Sequence, residues 1–278
     1  MTPSRRSHWL PMVLGAALVA LIAALLHRGW TFYGLSLDDR VTHPEFRQLR
    51  PSGAWGNGYG WIAALLVVLN LSYLVRRRLG GTRLGSMRMW LDIHVFTGLF
   101  AATFATFHSA FQLRTPITQI SAGSLAIVVV TGMIGRFLHA LTPADDRLRL
   151  RDALDELDRL WPGHRQELAS AIEALPAVAV SANASLARSL VVVPRWRRVG
   201  RQRRQVLGMI FPRDLDRQQR RAARRLANAA AAEAGSAGKI ALLRSWRGLH
   251  RFFALLMLVS VLAHGAIAWH YGYRWIFA

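Results

Sequence analysis

The sequence predicts an all-α integral membrane protein: a five-helix transmembrane bundle with a helical cytoplasmic insert between helices four and five. Three observations predict it. The chain has 278 residues, is 53% hydrophobic and has a positive mean hydropathy, which fits a polytopic membrane protein better than a water-soluble domain. Five apolar runs approach the roughly 20 residues needed to cross the hydrocarbon core. The arginines that supply nearly all of the +21 net charge lie between those runs, mostly in alternate connections.

The first run, Trp9–Leu26, carries no charge. It follows "SRRSH" as the core of a signal peptide would, but it is long and no small-x-small site precedes a polar start, so a retained helix is expected. Residues 27–57 form a loop before the second run, Gly58–Val75, which is also uncharged. The third, Met89–Leu113, holds only Asp92, His94 and His108 as ionisable groups. A short turn near Arg114 leads into the fourth, Thr115–Gly135, which is uncharged. The fifth, Phe252–Tyr273, has only histidines. In lipid such runs must be helical, because each backbone polar group has to be paired within the segment.

Orientation follows from the arginines. One side takes Arg5, Arg6, the loop "VRRRLGGTRLGSMRM" and the segment 141–247; the other takes Arg28, Arg40, Arg47, Arg50, Arg114 and Arg274. The first side is therefore expected to be cytoplasmic, with the N-terminus inside and the C-terminus outside in a multi-pass cytoplasmic (inner) membrane protein. The organisation is then 1–140 with helices one to four and the periplasmic loop 27–57, 141–247 as the basic cytoplasmic insert, and 248–278 with helix five.

The insert divides by charge. From 141 to 180 there are eight acids against five arginines, and from 181 to 247 three acids against sixteen basic residues. "PADDRLRLRDALDELDRL", "GHRQELASAIEAL" and "DLDRQQRRAARRLANAAAAEAG" read as helices, the first with apolar positions at Leu148, Leu154, Leu157 and Leu160; "RWRRVGRQRRQ" reads as arginine with one aromatic. A basic face tethered to a membrane suits anionic headgroups or an acidic donor protein, and no nucleic acid is expected.

The histidines carry the chemistry. His94 and His108 are fourteen residues apart, and so are His250 and His264. Fourteen residues end about 40° short of four full turns and rise ~21 Å, so each pair shares one helix face at two depths. Helices three and five run in the same direction, so His94 can face His250 near the cytoplasmic side and His108 can face His264 near the other. Two imidazoles facing one another can clamp a haem iron from both sides, and ionisable residues within a membrane default to functional candidates. Paired interhelical histidines without a cofactor are the alternative. His270 falls on another face, in an aromatic belt with Trp269, Tyr271, Tyr273 and Trp275. His8, His27, His43, His139 and His164 are expected at helix ends or outside the membrane. Gly98, Gly132 and Gly135 would let a helix or macrocycle approach closely. Arg136 suits a haem propionate or the headgroups; Asp92 lies on a different face from His94.

These residues resemble those of the ferric reductase-like transmembrane family. "LRPSGAWGNGYG", "WLDIHVFTGLFAATFATFHSAF" and "VVVTGMIGRFLH" are more closely similar to a group of bacterial di-haem membrane cytochrome b-like proteins. Members often read Arg-Pro-Ser-Gly before helix two, Trp-Leu-x-x-His on helix three and Ser-Gly-x-x-Gly-Arg-Tyr on helix four; Thr131 and Phe137 stand here for that Ser and Tyr. The resemblance spans about 30–140 and 245–273. It implies two b-type haems, with His94 and His250 on the inner and His108 and His264 on the outer. The reductases often carry a flavin and nicotinamide module. Neither "GAWGNGYG" nor "RRLGGTRLGS" has the context of a nucleotide-binding motif, so electrons are expected from another protein or from quinol.

The expected function is therefore a membrane di-haem b-type cytochrome, the electron-transfer part of an oxidoreductase. It would move electrons between a cytoplasmic or quinol donor and a periplasmic acceptor such as a c-type cytochrome. The alternatives are a haem-free scaffold or accessory subunit, and a quinone-reacting anchor of a larger oxidoreductase.

Overall fold

The computed structural model describes residues 9–79, 85–139, 144–178, 186–212 and 214–273. Arg5, Arg6, His8, part of the loop after helix two, Arg274 and Trp275 lie outside these residues, as do the side chains of His139 and Tyr273. Among the described residues there is no strand, and five helices are long and apolar enough to cross a membrane. Trp9, Val19, Trp61, Leu65, Phe252, Leu255 and Leu262 all point outward and are exposed. So many large apolar groups on the outside identify lipid as the solvent of these helices.

The chain divides into two compact units, 1–133 with 250–278, and 134–249. In the first, α1 (Trp9–Tyr33) is about 37 Å long, enough for a ~30 Å core. A 3₁₀ turn (Asp39–Thr42) and the one-turn α2 (Phe46–Leu49) build the following loop. Arg40 holds it: Nε donates to the Leu35 carbonyl at 3.1 Å, and the two terminal nitrogens donate to the carbonyls of Ala110 and Tyr33, each at 2.8 Å. The guanidinium also lies over the Phe32 ring, so its charge is buried against acceptors and a π face. Arg28 pairs with Glu45 across the same loop.

The second apolar run begins earlier than its sequence suggests and is broken. It folds as α3 (Ala54–Asn70) and α4 (Ser72–Leu79). At the break the Leu74 N–H donates to the Leu71 carbonyl at 2.9 Å, a three-residue step that shifts the ladder. The third run, α5 (Met87–His108), starts with Ser86 accepting from the Met89 N–H and stops at His108, short of the expected Leu113. The stop is a Schellman turn: Phe111 N–H reaches the Thr106 carbonyl at 3.3 Å and Ala110 N–H the Phe107 carbonyl at 3.1 Å. Ala110 and Phe111 both take positive φ, at 48° and 61°, a conformation that costs roughly 1–2 kcal/mol for an L-residue. The Arg40 bond to the Ala110 carbonyl offsets part of that cost.

The fourth run is α6 (Pro116–His139), with Pro at its first position. The fifth belongs to α11 (Ser236–Ala268), which runs on into a π-helical turn at Trp269–Tyr273. α3 and α1 both pack against α5. Val67, Ala101, Leu125 and Met257 bring α3, α5, α6 and α11 to one apolar cluster.

The second unit contains α7 (Ala144–Leu160), α8 (Arg165–Ala174), α9 (Leu186–Ile210) and α10 (Arg217–Glu233). The sequence pattern predicts α7, α8 and α10; α9 takes in the arginine run, for which the pattern predicts no helix. Leu157, Leu207 and Leu226 are fully buried. Leu148, expected inward, is exposed, and Leu150 packs on the core in its place. α10 opens with a capping box between Asp216 and Gln219. Arg203 is buried in the core, bonded to the carbonyls of Leu175, Pro176 and Ala230 and to Glu233 at 2.9 Å. Arg203→Ala strands three carbonyls and a carboxylate, so a loss of about 3–5 kcal/mol is expected. It is read as a lower melting temperature and faster proteolysis within 144–233.

Candidate functional site

The first unit brings the four histidines together in two pairs. The rings of His94 and His250 have centroids 6.5 Å apart and are inclined by 68°; those of His108 and His264 are 6.1 Å apart and inclined by 70°. α5 and α11 therefore run in the same direction, with one pair near the start of each apolar segment and the other a further fourteen residues along. A metal bound end-on by two imidazoles sits about 2 Å from each nitrogen, and a ring centre lies roughly 1 Å behind its nitrogen, which gives about 6 Å between opposed ring centres. Both pairs have the spacing of opposed ligands.

The second ring nitrogens explain how these orientations are held. The His108 Nδ1–H donates to the Gly56 carbonyl at 2.8 Å, and the His94 Nδ1–H to the Asn70 carbonyl at 3.3 Å. A carbonyl can only accept, so both rings carry their proton on Nδ1 and leave Nε2 bare. His250 meets the Thr131 hydroxyl, Nδ1 to Oγ1, at 2.9 Å. That hydroxyl can give its own proton to the Ile127 carbonyl at 2.7 Å, which leaves a lone pair for an Nδ1–H of His250. Such partners fix tautomer and ring direction in metal-binding histidines.

Local sequence makes each of these bonds accessible. The break after Asn70 turns its carbonyl away from the ladder and toward His94. Gly60 leaves room for His108, since a Cβ there would lie 2.7 Å from His108 Nδ1. Sequence reasoning misses Gly60 as a functional residue. Its signal is the Gly56-x-x-x-Gly60 spacing inside "GAWGNGYG", a small-residue pattern for close helix approach. Of the glycines that the sequence does single out, a Cβ added at Gly132 or Gly98 would lie 3.5 Å from His250 or Asn70, a distance that a small shift accommodates. The space at Gly135 is taken by the Trp246 indole, so that glycine serves side-chain packing within the second unit.

A small open cleft adjoins the first pair. His94, His250 and Asn70 are the polar groups in a lining of Val67, Leu99, Val128 and Met257. The Asn70 amide oxygen is buried without a partner, and Tyr73 packs against the His94 ring with centroids 4.8 Å apart. No three His, Cys, Asp or Glu side chains converge among the described residues. Each histidine pair offers two ligands.

The other candidates lie elsewhere. His270 is exposed in the π-helical turn beside Tyr271. His43 bonds Thr31, and His164 stacks on Trp161. Asp92 is buried on α5. Arg136 is half-buried on α6, four residues after Gly132, and belongs to the second unit.

Compared with protein families, curated proteins and solved structures, the chain matches none.

Two neighbouring glycines give a direct contrast. A Cβ at Gly58 meets nothing, whereas one at Gly60 collides with the His108 ring. Gly60→Ala should displace the His108 ring from the Gly56 carbonyl and cost about 1–3 kcal/mol of stability. Gly58→Ala should leave stability unchanged, with the melting temperature of the purified chain as the readout.

Proposed function

We propose that this chain is a membrane di-haem b-type cytochrome that moves electrons across the cytoplasmic membrane of a bacterium. The observation that carries the reading is the pairing of imidazoles at 6.5 Å and 6.1 Å, three of them with Nδ1 turned to an oxygen acceptor. His94 and His250 would hold the inner haem, and His108 and His264 the outer. The haems would supply one-electron redox chemistry when bound.

The chain's own residues bind, orient and shield. Asn70, Gly56 and Thr131 hold the ligating rings. The apolar lining of the cleft excludes water and keeps the local dielectric low. The arginine distribution sets the His94–His250 pair toward the cytoplasm and the His108–His264 pair toward the periplasm. A cytoplasmic protein or quinol donates and a periplasmic redox protein accepts. The resemblance to the ferric reductase-like and bacterial cytochrome b-like families points to the same assignment.

A reduced-minus-oxidised spectrum with a pyridine haemochrome count tests it. Two low-spin b haems per chain are expected. His94→Ala or His250→Ala should remove one, His108→Ala or His264→Ala the other, and His270→Ala neither. A chain purified without haem from haem-replete cells is a scaffold, and this reading is then wrong. Orientation has a separate check: an alkaline phosphatase fusion after Tyr273 should be active, and an inactive fusion reverses the topology.

A further inference from the structure

The two histidine pairs are not built alike. In the first, both imidazoles have an oxygen acceptor on Nδ1: the Asn70 carbonyl for His94 and the Thr131 hydroxyl for His250. In the second, His108 has the Gly56 carbonyl, but among the described residues His264 Nδ1 meets no acceptor. Thr131 is the side chain that makes the difference, because the other two acceptors are backbone.

We propose that Thr131 is a positioning residue that makes the His94–His250 pair the lower-potential site, so that electrons settle on the His108–His264 pair. The inference rests on the di-haem reading and adds to it the order of the two potentials. An acceptor on Nδ1–H draws that proton away from the ring and makes Nε2 the more basic ligand. A more basic ligand favours the more positive, oxidised iron, and so lowers the potential. Two such ligands do this more than one.

Hydroxyl chemistry makes the effect specific. A histidine that ligates through Nε2 carries its proton on Nδ1, so toward His250 the Thr131 hydroxyl presents a lone pair and gives its own proton to the Ile127 carbonyl. Thr131 is itself buried, 8% exposed, so water does not compete for that position. Valine has the same shape and no lone pair. Thr131→Val therefore removes the acceptor while keeping the packing, and Thr131→Ser returns the acceptor without the methyl group.

The experiment is a potentiometric titration of the purified full chain carrying both haems, in lipid nanodiscs. His264→Ala identifies the components by leaving only the inner haem. The remaining component should titrate at the lower of the two wild-type potentials. Thr131→Val should raise that component alone by about a tenfold change in the oxidised-to-reduced preference, ~59 mV for one electron, and Thr131→Ser should restore it. The inference is overturned if the component left in His264→Ala is the higher one, or if Thr131→Val shifts the other component or neither. The His264→Ala result decides the ordering even if Thr131→Val fails to assemble. Two haems with the reverse order sink this inference alone, whereas absence of haem sinks the cytochrome reading together with it.

Discussion

An imidazole has two nitrogens, and inside a membrane neither can be left to water. The first unit depends on how it resolves that constraint. Three of the four paired histidines spend Nδ1–H on an oxygen of α3 or α6, and the bare Nε2 is left for the opposite helix. Each acceptor is created by a local departure from regular structure or composition. A break in the ladder at Asn70 releases one carbonyl, the missing side chain of Gly60 opens the way to another, and a hydroxyl replaces an apolar group at Thr131. Remove these and the rings remain on the right faces of the right helices without a defined direction.

The coarse arrangement is legible in the sequence because it rests on periodicity alone. Fourteen residues are close to four helical turns, so equal spacings on α5 and α11 put two pairs at two depths. The five apolar helices are likewise readable from length and charge. What escapes is everything that depends on partners far away in sequence. The early stop at His108 needs Arg40, seventy positions before the carbonyl it holds. The α3–α4 break answers to His94, and apolar patterning is blind to it because the residues on both sides are equally hydrophobic. Gly135 has the look of a contact glycine, yet an indole more than a hundred residues later fills its space. In the second unit α9 is hidden by its charge, although arginine is a good helix former and one buried arginine ties the helix to its neighbours.

The two compact units distribute apolar and charged side chains in opposite ways. In the first, large apolar residues face outward and the polar groups are turned in. In the second, leucines and alanines form the interior while arginines cover the outside. Each nevertheless buries one guanidinium for the same purpose. Arg40 and Arg203 each satisfy three backbone carbonyls where the chain leaves a helix. The planar fork of arginine suits this role because it reaches several carbonyls that lack ladder partners, which one lysine ammonium does with less geometric control.

Each histidine pair also joins two segments that leave the ribosome far apart in time. About 156 residues separate His108 from His264, and at ~5–20 residues per second that is roughly 8–30 s of synthesis. During this interval α5 is complete, its histidines have met α3, and the second unit is being made. Neither pair can close until α11 arrives. Closure of the two pairs is therefore a late and joint event: nascent chains halted before α11 hold half of each pair, and a single helix completes both.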